Sequence, residues 1–381
     1  MPLQFLRDVR VIDLSQYIPG PYAALMLADL GADVLKVEPP AGDPMRRYGP
    51  IGPSGNSAFY TVLNGGKRIL RLDLKSEAGR QAMLTLVQAA DILIESYRPG
   101  VMDRLGLGYP TLHAKNPALI HCAISNFGQE GPYALKGGHD LNCMALGGGL
   151  IASGIPESPV ISTPPVADFA SGIQAAASVS AALVASRATG QGAFIDLSMT
   201  DTVLAWQSCL LTDSLRRSEL PIRASREDGG GTAFYNLYKT SDGRFITLAA
   251  DEDKFWANFC RAVGREDWII RKTEPMPQSA LIAEVSALVA SKSFADWCTL
   301  LNDVDCCFHP VLEPAEVMTH PQLAVRGVLA RSERDGPIVE ALYPAWVDGK
   351  APSRRTPYRD VEAADALAAW RERTSPARTG N

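Results

Sequence analysis

No run of about 18 or more uniformly apolar residues occurs in this chain, and its start, MPLQFLRDVRVIDLS, has no charged segment followed by an apolar one. Neither export nor a membrane span is therefore expected. Cysteine is sparse: the seven in 381 residues are odd in number and include no CxxC and no Cys/His ligand spacing. A disulfide framework and a zinc site are both disfavoured, and reduced thiols in a cytoplasmic protein are expected. Basic charge is not in excess either, with 37 Lys and Arg against 42 Asp and Glu, a net charge of −5 and no dense basic cluster. Nucleic acid is an unsuitable partner for such a surface, although single Lys and Arg groups remain free to hold a small anion. The first βα turn carries Pro19-Gly20-Pro21 where a dinucleotide fingerprint would place GxGxxG, which argues against NAD and FAD.

What is present is a globular composition, 46% hydrophobic and 21% charged, in a chain long enough for two lobes. From Val9 the sequence alternates β-branched runs with Ala- and Leu-rich stretches: VRVIDLS, GPYAALMLADLGA, DVLKVEP, ILRLDL, SEAGRQAMLTLVQA, DILIES and ALIHCAIS. Such alternation predicts an α/β, Rossmann-like domain, a mostly parallel sheet with helices on both faces. Ser76 reads as a helix cap and Gly31 as a helix end. The small-residue stretch Ala167 to Ala188 suits a helix packed tightly among neighbours. FYNLYKTSDGRFITLAA predicts a hairpin around Ser241-Asp242-Gly243 and opens a smaller α+β domain. The expected division is 1–225 for the large domain, 226–330 for the small one and 331–381 for a segment returning to the large one.

Three ionisable residues lie beside small residues that would let a backbone approach a ligand. His139, in GGHDLN, is either a hydrogen-bonded structural histidine or a proton carrier near neutral pH. Asp168, in PPVADFASG, stands where an extended segment enters the Ala-rich helix; it can be the helix N-cap, a catalytic carboxylate, or both. Glu252, in LAADEDKFW, is flanked by Asp251 and Asp253, and its spacing alone reads as a solvated acidic turn.

The segments DLGADVLKVEPPAGDPMR, NGGKRILRLDLKSEAGR and ESYRPGVMDRLGLGY resemble the family III CoA-transferases, a group that also contains the α-methylacyl-CoA racemases. The likeness runs from about Leu6 to about Val328, and GHDLN with a downstream DF(A/G) segment is similar to the racemase branch. The resemblance implies that His139 and Asp168 are two bases on opposite faces of an enolate, that Glu252 supports the histidine, and that Asp140 and Asn142 orient the site. It further implies Lys36, Arg46 and Arg98 as phosphate partners of coenzyme A, with Leu72 and Lys75 near the adenine. The substrate would be an acyl-CoA thioester, with no tightly bound cofactor, and the assembly an interlocked homodimer. The stretch from Arg46 to Lys67 is longer than in racemases and is similar to the transferase branch, in which Asp168 would be a nucleophile. A binding protein with the fold but no chemistry is the third alternative.

Overall fold

The computed structural model describes residues 3–217, 223–333 and 335–371. They form two compact units: one from the chain up to Gly147, Thr163–Trp206 and the part from Pro321 onward, the other from Gly148–Ser162 and Gln207–His320.

The first unit is built on a parallel sheet. Its strands β1 (Arg10–Asp13), β2 (Asp33–Glu38), β3 (Arg68–Arg71), β4 (Ile92–Glu95), β5 (Ile120–Ser125) and β6 (Ala193–Ser198) are joined by helical connections. Among these are α1 (Pro19–Asp29), α2 (Ala58–Leu63), α3 (Glu77–Ala89), α4 (Val101–Arg104), α5 (Tyr109–Lys115), α6 (Asp140–Leu146) and α7 (Val166–Thr189), and α8 (Met199–Trp206) follows β6. Across the sheet the order is a late strand Arg359–Asp360, then β3, β2, β1, β4, β5 and β6. Every pairing is parallel. The buried strands β1 and β4, RVID and ILIE, are apolar on both faces, as a sheet covered on both sides requires. The chain winds outward from β1 to β3 and then restarts at β4 in the other direction. That reversal makes the carboxyl ends of β1 and β4 a topological switch point, the usual ligand position in such sheets.

Local signals act where the sequence placed them. The Ser76 hydroxyl accepts the Gly79 amide at 3.0 Å and starts α3, and Gly31 leaves α1 with φ +101°. Helix α7 buries Ala167, Ala170, Gly172, Ala175, Ala176, Val179 and Leu183. A Cβ on Gly172 would lie 2.8 Å from the Pro19 carbonyl oxygen and 3.0 Å from the Tyr22 ring, so glycine is what lets α7 approach α1 this closely. By length and hydropathy α7 is, among the described residues, a helix that would suffice to cross a bilayer, which amends the expectation that no such segment exists. Its buried face is that of a core helix, while Ile173 and Val184 remain exposed.

The second unit holds the predicted hairpin, β7 (Tyr235–Lys239) and β8 (Phe245–Ala249), turned through Gly243 at φ +83° and extended by β9 (Phe308–Pro310) into an antiparallel sheet. Its core gathers Trp256, Trp268 and Trp297 with Phe234, Phe259 and Leu281. All seven cysteines are free thiols.

Candidate active site

His139 stands at the entrance of α6, in extended backbone, with Asp140 as the first helical residue. The His139 amide donates to Asn142 Oδ1 at 3.1 Å, and the His139 carbonyl accepts the Asn142 amide at 2.9 Å. This reciprocal cap fixes the backbone from which the imidazole projects, as a capping box does. The imidazole is exposed. It lies in a T-shaped contact with the Tyr17 ring, at 6.1 Å between centroids and 80° between planes.

Asp168 is the third residue of α7, with Pro165 in the capping position, so the N-cap role open to it from sequence is not the one it takes. Its amide instead donates to Asp140 Oδ1 at 3.2 Å. Asp140 thereby joins the two candidate bases: it follows His139 in the chain and receives Asp168 through space. Burial, reinforced by the charge of Asp140, pushes the Asp168 carboxyl up to about 7, from an ordinary value near 4. Beneath them lies Cys143, one helical turn after His139. Burial raises its thiol to about 11, with Asp168 and Asp140 adding to the rise and Thr200 opposing it. The thiol is therefore neutral and unsuited to nucleophilic attack.

Tyr17 follows β1 in the left-handed region, at φ +61°. For a bulky side chain this costs roughly 1–3 kcal/mol and persists only where neighbours impose it. They do so here: the Leu14 amide donates to the Ile94 carbonyl at 2.8 Å, and the Gln16 amide to Ser96 Oγ at 2.9 Å.

The proposed coenzyme residues fall into two groups. Lys36 is buried, 2.9 Å from Asp43 and 4.0 Å from Asp13, and its ammonium also donates to the Ser15 carbonyl at 2.7 Å. Arg46 is buried against Glu38 at 2.8 Å, Asn56 at 2.9 Å and Tyr60 at 2.7 Å. Both charges are already matched by carboxylates, unlike the exposed cations that phosphate binding calls for. Leu72 lies in the core beside the sheet. Lys75 and Arg98 are exposed. Among the described residues neither cation meets a carboxylate in an ion pair, and Arg98 is next to the histidine loop: a Cβ on Gly137 would lie 3.0 Å from its guanidinium.

Glu252 belongs to the second unit, where it precedes the helix Asp253–Ala262 and its carbonyl accepts the Phe255 and Trp256 amides at 3.0 and 3.2 Å. Its neighbours are engaged by Lys272, which meets the Asp253 carboxylate at 2.7 Å and the Asp251 carbonyl. The Glu252 carboxylate makes no hydrogen bond among the described residues. After burial, its charge is the chief influence raising the Cys307 thiol.

A model of CoA-transferase family III matches residues 6–360. The chain belongs to this family. Among relatives of the family III chain, it is 33% identical over 332 residues to the human α-methylacyl-CoA racemase, covering 86% of this chain and 83% of that one. It is 32% identical over 332 residues to an acetyl-CoA:oxalate CoA-transferase of Acetobacter aceti, covering 84% of each. Among solved structures, a CaiB/BaiF family protein from Brucella suis superposes with a TM-score of 0.83 at 28% identity, covering 97% of this chain and 99% of that one. The relatives' names thus divide between racemase and CoA-transferase, both enzymes of CoA thioesters.

Two residues that touch the loop around His139 escaped the sequence reading, Tyr17 and Asn126. Asn126 Nδ2 donates to the Gly138 carbonyl at 2.7 Å, directly before His139. Tyr17 follows β1 at the switch point and Asn126 follows β5, one strand beyond β4, and position after a strand's carboxyl end is the signal that could have found them.

Proposed function

We propose that this family III enzyme is a racemase of 2-methylacyl-CoA thioesters, working by 1,1-proton transfer at the carbon α to the carbonyl. The observation that carries the reading is the junction of two unlike proton carriers, His139 and Asp168, through Asp140. A carboxyl held at about 7 is shared between acid and base forms at neutral pH, so it can take a proton in one direction and return it in the other. His139 removes the proton from the S epimer and Asp168 from the R epimer; the partner base then protonates the planar enolate on its opposite face. Unpaired amides in the first turn of α7 offer stabilisation to the enolate oxygen. Lys75 and Arg98 are the exposed cations for the coenzyme's phosphates, with Lys36, Arg46 and Leu72 shaping the floor beneath. Glu252 supports the imidazole in an interlocked homodimer, whose partner surface would include the exposed apolar side chains of α7 and α8, Val184, Leu204 and Trp206 among them. No cofactor is required beyond the coenzyme A of the substrate.

The second reading, a CoA-transferase with Asp168 as nucleophile, is favoured by the near-equal likeness to the oxalate enzyme. Such an enzyme passes through an aspartyl anhydride, which hydroxylamine intercepts. The two separate cleanly when each pure epimer of a 2-methylacyl-CoA is incubated with hydroxylamine and no acceptor acid. The racemase reading expects both epimers to relax to one mixture with activity retained. Unchanged optical purity with progressive inactivation would overturn it.

A further inference from the structure

The loop Gly137-Gly138-His139 is touched by residues that follow three adjacent strands of the sheet. Tyr17 follows β1 and its ring stands in a T-shaped contact with the His139 imidazole. Arg98 follows β4 and lies against Gly137. Asn126 follows β5 directly and donates to the Gly138 carbonyl at 2.7 Å. The sheet order places β4 between β1 and β5, so the three loop residues meet the ends of three neighbouring strands, Gly137 that of β4, Gly138 that of β5 and His139 that of β1.

Asn126 is itself anchored from its other side. Its carbonyl accepts the Thr200 amide at 3.1 Å, the Thr200 hydroxyl at 2.8 Å and the Cys143 thiol at 3.6 Å. The helices α6 and α8 therefore converge on the residue that grips Gly138. That grip is close: a Cβ on Gly138 would lie 3.0 Å from the Phe127 ring and 3.1 Å from Asn126 Nδ2. Tyr17 supplies the complementary constraint, since its backbone, left-handed at φ +61°, carries a ring that meets the imidazole in a T-shaped contact.

From this arrangement we infer that Asn126 and Tyr17 are positioning residues for His139, Asn126 fixing the backbone before the histidine and Tyr17 the plane of its ring. The inference rests on His139 being a base, but the hold itself is geometric and is observable without turnover. Rate follows from such a hold because a base misplaced by about 1 Å loses up to about a hundredfold in rate.

The test uses the full-length enzyme with isotopically labelled histidine, the His139 resonance being assigned by its loss in His139→Gln. Tyr17→Ala is expected to shift the imidazole resonance and to lower kcat for α-proton exchange about tenfold or more, with KM within about twofold. Tyr17→Phe, which keeps the ring edge, is expected to restore both. Asn126→Ala should reproduce the kcat loss at constant KM. Asn126→Asp, which keeps the shape but cannot donate to the Gly138 carbonyl, should not rescue it. If Asn126→Ala does not fold, Asn126→Ser is read in its place. An unmoved His139 resonance with unchanged kcat in Tyr17→Ala and Asn126→Ala would overturn the assignment, as would equal losses in Tyr17→Phe and Tyr17→Ala. Absence of exchange in the wild type would count against the racemase reading instead, while the resonance still reports on the hold.

Discussion

Two clusters of ionisable side chains lie at the carboxyl edge of the same sheet, and they are opposite in character. Around β1 and β2, Asp13, Lys36, Lys67 and Asp43 are sealed from water and matched charge for charge, with Lys67 at 2.9 Å from Asp13 and also donating to the Pro21 carbonyl at 2.8 Å and to Asn64 at 3.1 Å. Burial would raise the Asp13 carboxyl, but Lys36 and Lys67 more than offset it and hold it below its ordinary value. Burial, with the charge of Lys36 behind it, pulls the Lys67 ammonium down to about 8 despite Asp13. Around α6 and α7, His139, Asp140 and Asp168 meet no cation in any ion pair among the described residues, and Asp168 is left with a like charge beside it. The first cluster locks strands β1, β2 and the start of β3 together. The second leaves its carboxylates without a compensating cation among the described residues. Closure of partners separates a structural ionic cluster from a chemical one more sharply than burial does.

That contrast is open to direct attack. The largest effect is expected in the second cluster: Asp168→Asn and His139→Gln should each slow α-proton exchange by about 10²–10⁴-fold while leaving the melting temperature unlowered. Lys67→Met should do the reverse, destabilising the protein by about 3–5 kcal/mol because Asp13 is left buried with its charge undermatched. Denaturant titration checks this, and Lys67→Met with Asp13→Asn should recover part of the loss. A milder effect follows from pH. Because the folded-state value for Asp168 is raised, to about 7, its ionisation costs stability progressively as pH rises from the ordinary value near 4 through 7. Asp168→Asn should therefore gain in melting temperature over wild type as pH rises from 5 to 8, and that gap should close at low pH. The smallest effect is expected at Arg98, where Arg98→Ala should raise KM about tenfold with kcat little changed, the mark of binding energy shared by ground and transition states.

Much of the fold could be read from residues alone. Period-two and apolar runs marked β1 to β5, the Ser76 cap began α3, and Gly243 marked the hairpin, because each is decided by interactions within a few residues. Lys36 and Arg46 illustrate what could not be read. In sequence they are cations near the end of a strand, and nothing local shows that Asp13, Asp43 and Glu38 neutralise them. Asp168 was legible as a residue at a helix start, but its actual neighbour, Asp140, lies 28 residues away. Tyr17 and Asn126 gave no composition signal at all, since their roles come from strand order. Site chemistry in this chain is set by which strand ends are adjacent, and that adjacency is a tertiary fact.

The central claim is that His139 and Asp168 act as two bases, and α-proton exchange in deuterated water tests it most directly. Each epimer of a 2-methylacyl-CoA is followed with wild type, His139→Ala and Asp168→Ala, without an acceptor acid. The account predicts exchange with loss of chirality in wild type and racemisation impaired in both variants. Absence of exchange in wild type, with CoA transfer to an added carboxylate that needs Asp168 and tolerates loss of His139, would contradict it.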